Sequence, residues 1–397
     1  MKKVIVIGAG ASGIIAALKV SENNEVILIE SNDKIGKKLL LTGNGKCNYW
    51  NENIIKENYH TDNVLALEKI LENKNEVLDY LYHLGIYPKV KNGYYYPYSG
   101  MAYSVCELFE YMLKDNDIKV FYNTKVSKIE KVNNEFKVYV PGDVITSDKV
   151  IIATGSKACP KTGSDGSGYD FAKSFGHNIN PVLPALTSLR ANEWFLKEWN
   201  GVRSDARLSL YIDDNFVMSE EGELQMTQDG ISGICTFNIS SEVSRALYDF
   251  KNVLVKINFV PFLNESFYSF FDKRSKELNQ NVEVLLESIL NYKVISVIMK
   301  RAGISKGAYW KSLTEDEKNN LCKMIENFEL KIDEVNPVEK SQVCTGGVSL
   351  KEVNENMESS KCEGLYLTGE LLDVDGKCGG FNLAFAFISG YLAGKDI

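Results

Sequence analysis

The run Val4-Ile5-Val6-Ile7 feeds directly into Gly8-Ala9-Gly10-Ala11-Ser12-Gly13. A Gly-x-Gly-x-x-Gly at the switch from strand to helix is a cradle for a pyrophosphate. Gly8 permits the tight turn, Gly10 removes the side chain that would block the phosphates, and Gly13 lets helix and strand pack closely. The helix N-terminus adds unpaired N–H groups and the positive end of a dipole. Glu30 ends a second apolar run, Glu25 to Glu30, where a carboxylate accepts hydrogen bonds from an adenosine ribose. Gly8, Gly10, Gly13 and Glu30 point to a dinucleotide without choosing between FAD and NAD.

Further segments favour FAD. The loop from Ile35 to Asn48 contains Gly43-Asn44-Gly45-Lys46-Cys47, and glycines at 43 and 45 let backbone approach a flat ring. Lys38 or Lys46 could pair with phosphate or flavin oxygens. Ala153-Thr154-Gly155 is a strand-end turn of the type that flavoproteins use beneath a dinucleotide. Gly369-Glu370 ends another strand, with Asp373 and Asp375 close behind. Gly379-Gly380-Phe381-Asn382 then opens an apolar helix whose N-terminus suits the pyrimidine end of a flavin. That dipole is worth about 0.3–1 kcal/mol to a nearby anion. At roughly 30 mV per 1.4 kcal/mol, it moves a two-electron potential by tens of millivolts and does not set the direction of reaction. Taken singly, these are ordinary loops, with Asp373 and Asp375 in a solvated turn and Lys37 and Lys38 on a wet face. Their conjunction with the opening fingerprint is what selects FAD.

The elements that must hold these residues follow from periodicity. Residues 3–8, 25–30, 150–155 and 365–368 are unalternated apolar runs, the pattern of buried parallel strands. Helices are expected near 63–84 and 101–114, and a strand pair at 119–131 and 135–140 across Asn133-Asn134. From about residue 190 the texture changes, with strands at 207–218 and 252–260 and helices at 264–290, 292–301 and 314–327. The expected fold is an α/β, Rossmann-like domain interrupted by an inserted α+β module. Its parts are 1–189 (FAD-binding, first part), 190–337 (insert carrying substrate contacts) and 338–397 (FAD-binding, second part).

These motifs resemble the BaiN-like flavoproteins, a bacterial family of FAD-dependent oxidoreductases with aminoacetone oxidase-type and bile-acid reductase-type members. The resemblance runs over essentially the whole length. It rests on Gly8 to Gly13, Lys38 to Asn48, Ala153 to Tyr169, Gly230-Ile231-Ser232-Gly233, Thr345-Gly346-Gly347-Val348 and Gly364 to Gly394. It implies an FAD domain of the two-dinucleotide-binding type with an inserted substrate domain. It also implies FAD contacts from Gly10, Ser12, Glu30, Lys38, Asn44, Gly45, Val126, Thr154, Asp373, Gly380 and Phe381, with Val126 holding the adenine through its backbone from the strand at 119–131. Three positions depart from the family pattern. Gly43-Asn44-Gly45-Lys46 stands where Gly-Gly-Gly-Arg is usual, Ser156 replaces a second Gly, and Thr227-Gln228 replaces a frequent Thr-His. That His would be the natural acid/base, so no catalytic residue is assigned.

Composition narrows the partners. A net charge of -8 argues against nucleic acid and anionic membrane. No apolar run reaches bilayer length. Eight scattered cysteines contain no C-x-x-C pair, so reduced thiols in a cytoplasm are expected, with no metal site among them or the three histidines. Cys47 and Cys378 could approach one another, although a small inert Cys47 is the plainer reading, and His177 reads as finishing a short helix. No Ser-His-Asp constellation is expected. Gly163-Ser164-Asp165-Gly166-Ser167-Gly168 lacks the register of a second nucleotide site, so NAD(P)H, if used, would dock transiently on the flavin. The expectation is a cytoplasmic FAD-dependent oxidoreductase acting on a small organic or steroid-like molecule, which would enter between the FAD domain and the insert. A flavin-binding redox sensor or non-catalytic interaction protein is the alternative, and a nucleic-acid-modifying flavoenzyme a third.

Overall fold

The computed structural model describes all 397 residues. The chain divides into two compact units, Met1–Leu183 with Val338–Ile397, and Pro184–Pro337. Residues 184–189, expected in the first part, therefore belong to the second unit.

The first unit is built on a five-stranded parallel sheet. Strand β1 (Lys3–Ile7) lies at its centre, flanked by β2 (Glu25–Ile29) on one side and Lys149–Ile152 on the other; Lys119–Phe121 and Leu365–Leu367 form the edges. Val4, Ile5, Val6, Ile27 and Leu28 are all buried, because helices cover both faces of such a sheet. Helix α1 (Ala11–Ser21) leaves the turn after β1. The closing helix Phe381–Lys395 packs against it, with almost every side chain from Ala384 to Gly394 buried. Contact is made possible by glycine: a Cβ on Gly390 would lie 2.2 Å from the Ser12 carbonyl oxygen, and one on Gly394 2.7 Å from the Lys19 Cβ.

The second unit is an antiparallel seven-stranded sheet in the order Phe328–Ile332, Val253–Asn258, Arg203–Ile212, Asn215–Thr227, Gly230–Ser232, Leu189–Arg190, Glu334–Val335. Val253–Asn258 alternates buried and half-buried positions, the mark of a sheet with one core face. Helices Ile234–Tyr248, Phe267–Leu278, Tyr292–Ala302 and Glu315–Glu326 supply the rest of its core. The last of these begins with a reciprocal capping box between Thr314 and Glu317.

Four expected elements are cut in two. Residues 119–131 contain the edge strand Lys119–Phe121 and a separate strand Lys128–Val132, which pairs with Glu135–Val140. Residues 207–218 hold a hairpin that turns at Asp213-Asp214, both with positive φ. The helix over 264–290 stops at Asn279, a left-handed cap, and restarts at Val282 after the Asn281 cap. The helix over 63–84 breaks at Asn73. Each break falls at an Asn or Asp or in a polar turn, where side-chain bonds to backbone compete with the regular ladder.

The α1–closing helix contact carries a prediction. Gly390→Leu forces these helices apart and costs about 1–3 kcal/mol or more, read as a lower thermal midpoint of the cofactor-free protein. An unchanged midpoint contradicts this packing.

Candidate functional site

The opening turn separates two uses of glycine. Gly8 has φ +101°, and a Cβ there would meet the Ala153 carbonyl oxygen at 2.5 Å; one on Gly13 would meet the Gly8 oxygen at 1.9 Å. These two are glycine because protein surrounds them. Gly10 is extended and has nothing within 4 Å of a Cβ. It is open toward whatever approaches the N-terminus of α1. Ser12, buried behind it, lies with its Oγ 2.5 Å from the Cβ position of Gly369, so the two ends of the chain meet there.

Glu30 is buried and fixed. Its Oε2 accepts from Ala9 N at 2.8 Å, while Oε1 accepts from Asn32 N at 2.8 Å, Asn32 Nδ2 at 2.7 Å and Ser31 Oγ at 3.2 Å. Val126 lies in the turn between Phe121 and Lys128 rather than on a strand, a correction to the expected placement. That turn is tied to Glu30, since Thr124 N donates to the Glu30 carbonyl at 2.9 Å.

The loop after β2 is wound into left-handed backbone at Gly43, Asn44, Gly45 and Cys47. A Cβ on Gly43 would meet Asn48 N at 2.8 Å, whereas Gly45 faces open space. Lys38 is ion-paired: its Nζ lies 2.5 Å from Glu370 Oε2, and Ser156 Oγ donates to the same oxygen at 3.1 Å. Three distant segments are thus tied at one carboxylate. Lys46 is exposed. Cys47 is wholly buried and burial pushes its thiol up to about 12; burial also raises Cys378, and neither is in a disulfide. Neither is an activated nucleophile.

The C-terminal signature closes the other side. A Cβ on Gly379 would strike the Tyr94 ring at 2.4 Å, and one on Gly380 the Trp50 carbonyl oxygen at 2.4 Å. Asn51 Nδ2 donates to the Gly379 oxygen at 2.9 Å. Asn382 exchanges two 2.8 Å hydrogen bonds with the Gly376 backbone, and Tyr59 donates to the Phe381 carbonyl at 3.0 Å. Asp373 and Asp375 are buried, not solvated as an ordinary turn would leave them.

These groups share one location. Gly8, Glu30, Thr154 and Thr368 each stand just beyond the C-terminal end of a parallel strand, the edge at which open α/β sheets bind ligands. Thr154 Oγ1 and Thr368 Oγ1 are buried there without a hydrogen-bond partner; Gly155, next to Thr154, has φ +74°. The open face of Gly10 and the fixed carboxylate of Glu30 fit an extended dinucleotide, whereas the Thr154 hydroxyl faces Gly168, whose Cβ would fall 1.9 Å from Oγ1. Asn32, Ser156, Asn51 and Thr368 were not read from the sequence. Of these, only Asn32 carried a local signal, two residues after an acid-ended strand.

His177 finishes the helix Ser167–Ser174 as expected: past Gly176, at φ +86°, its N–H donates to the Ala172 carbonyl at 3.2 Å. Its buried ring joins Glu352 Oε2 through Nδ1 at 3.1 Å and Ser359 Oγ through Nε2 at 2.7 Å. The order Ser-His-Glu has the outline of a nucleophilic triad, assembled from residues far apart in the chain. Ser359 Oγ, however, accepts from Lys361 N at 3.0 Å and Cys362 N at 3.1 Å and is buried, so the trio is a clasp between segments. Burial holds the His177 ring below its ordinary value against the raising effect of Glu352. Burial also opposes ionisation of Glu352, yet hydrogen bonds from Asn178 and His177 keep that carboxyl below the usual range.

A family profile described as HI0933-like protein Rossmann domain matches residues 2–396. The chain is 36% identical to the 3-dehydro-bile acid delta(4,6)-reductase of Clostridium scindens, over 100% of this chain and 98% of that protein. It is 26% identical to the ribosomal RNA dihydrouridine synthase of Haemophilus influenzae, over 99% and 98%. Among solved structures, the open conformation of a flavocytochrome c3 fumarate reductase aligns with a TM-score of 0.51 at 15% identity, covering 100% of this chain and 78% of that one. That likeness is one of fold. No helix is long and apolar enough to cross a membrane.

Two predictions follow from the buried groups. His177 is held neutral, so below its ordinary value of 6.5 the unfolded chain binds a proton that the folded chain does not. Stability is fully present above that value and falls as pH drops toward the depressed folded one. The gap in thermal midpoint between wild type and His177→Gln should therefore narrow from about pH 7 to about pH 5.5; a constant gap contradicts it. Secondly, a thiol reagent near neutral pH should leave Cys47 unmodified in the native protein, checked by mass spectrometry of its peptide.

Proposed function

Since this chain belongs to the HI0933-like Rossmann family, we propose that it is an FAD-dependent oxidoreductase that reduces a carbon–carbon double bond conjugated with a carbonyl. The observation that carries the cofactor is the convergence of Gly10, Glu30, Thr154 and Thr368 at one edge of the parallel sheet. The reaction class is supported by the relatives' names. A 3-dehydro-bile acid delta(4,6)-reductase saturates an unsaturated ketone, and a dihydrouridine synthase saturates the uracil double bond beside its carbonyl. Both require a hydride at the carbon remote from the carbonyl and a proton at the adjacent carbon.

When bound, FAD supplies the two-electron hydride carrier. We assign its pyrophosphate to the N–H groups at the start of α1 that Gly10 leaves open, those of Ser12 and Gly13 among them, and its adenosine ribose to Glu30, with Val126 beside it. Gly43 to Cys47, Thr154, Gly155, Asp373, Asp375 and Gly379 to Asn382 are assigned to the remainder. Lys38 acts together with Glu370, its charge already compensated. The closing helix presents its N-terminal N–H groups to negative charge. NAD(P)H as donor, giving up a hydride to become NAD(P)+, balances the reaction. Eight cysteines without a disulfide suit a reducing cytoplasm.

The preferred substrate is a small enone, supported by the 36% relative and by a net charge of -8. A uracil in RNA is the second reading, supported by the 26% relative. Anaerobic mixing of the purified protein with NADH, then NADPH, tests the enzyme: bleaching of the yellow band and its return on adding an enone or a uridine-containing RNA decides the substrate. A colourless protein that refuses FAD overturns the proposal. A bound flavin that no donor reduces favours a redox sensor.

Gly10→Ala supplies the sharper test of the cradle. Because its Cβ meets no protein atom, the cofactor-free protein should melt as wild type does, while FAD affinity falls about tenfold or more, near 1.4 kcal/mol. Equal affinity contradicts the assignment.

A further inference from the structure

Strand Tyr59–Thr61 pairs antiparallel with Val374–Gly376, Thr61 opposite Val374. That register carries Asp62 and Asp373 past the same end of the pair, directly across from one another. Like charges so placed repel, and Asp373 is only 5% exposed. A single nitrogen resolves the conflict. Asn180 Nδ2 donates one hydrogen to Asp373 Oδ2 at 2.6 Å and the other toward Asp62 Oδ2 at 3.2 Å. Asp62 is held in turn by Ser349 Oγ, by Leu350 N at 3.0 Å and by Lys351 Nζ at 3.9 Å. The Asp373 backbone is pinned by its N–H to the Val348 oxygen at 2.8 Å. The Tyr169 phenol lies within electrostatic reach of Asp373, and His60, two residues before Asp62, stands opposite Asp375 in the strand pair.

We propose that Asn180 is a positioning residue: its amide bridges Asp62 and Asp373 and holds Asp373 as a hydrogen-bond acceptor for hydroxyl groups of the bound cofactor. This rests on the reading of Asp373 as a cofactor contact. The bridge uses both hydrogens of the amide, which a residue that only fills the same space does not supply. Asn180→Asp has nearly the same shape, lacks the donor and adds a third carboxylate. Asn180→Ala leaves two acids facing each other with the bridging donor gone.

The test is the dissociation constant of FAD, titrated by flavin fluorescence, with the thermal midpoint of each cofactor-free protein alongside. Asn180→Ala and Asn180→Asp should each bind about tenfold more weakly or worse. Adding Asp62→Asn to Asn180→Ala removes the repelling charge and should recover affinity. If both single variants bind like wild type, or if Asp62→Asn recovers nothing, Asn180 is packing alone and the inference is overturned. A wild-type protein that binds no FAD overturns the cofactor reading itself, and this inference with it.

Discussion

The site depends on the approach of the first helix to the last. Ser12 is pressed between the turn at Gly369 and the helix at Gly390, and neither glycine has room for a methyl group. Through this contact the opening turn and the C-terminal signature, more than 350 residues apart in sequence, become one rigid edge. Glu370 strengthens the same seam by receiving Lys38 and Ser156. A cradle for a long, two-ended ligand needs this kind of rigidity. Orienting groups that move independently would lose the benefit of being prearranged.

Legibility in the sequence followed the range of the determining interactions. The fingerprint, the parallel strands and the closing helix were readable because their constraints are local: apolar runs, glycine spacing, an acid at a strand end. The glycines could be named from spacing, yet their reasons could not. Gly8 and Gly13 are crowded by backbone, while Gly10 is open, and only the packed sheet separates these cases. The hairpin at Asp213-Asp214 and the break at Asn279 were missed where continuous patterning masked a left-handed residue. The partners of Asp373, at 62 and 180, have no sequence signal at all, because strand register brings them together.

Buried acids and thiols divide along the same line. Glu30 and Glu352 are carboxylates withdrawn from water and each is held by several donors, while Asp373 takes the Asn180 amide, since a buried charge without such partners is costly. Cys47, by contrast, sits in strained backbone with its thiol raised by burial. In that loop the cysteine contributes shape, and the surrounding left-handed residues contribute backbone direction. The His177 clasp shows that a triad's outline needs more than three residues in order: its serine is enclosed and already bonded on both sides.

The first unit is discontinuous, and its sheet takes one edge strand, Leu365–Leu367, from near the end of the chain. During synthesis the polypeptide emerges from its N-terminus, so β1, β2 and α1 leave the ribosome long before the segment that completes them. Residues 184–337 are contiguous and gather their own core in the interval. The nascent opening turn must therefore wait, its apolar flank uncovered, until the final helix is released. Premature termination anywhere before residue 365 would yield a chain with an intact fingerprint and no seam to hold it, a species for chaperones and proteases rather than for coenzyme.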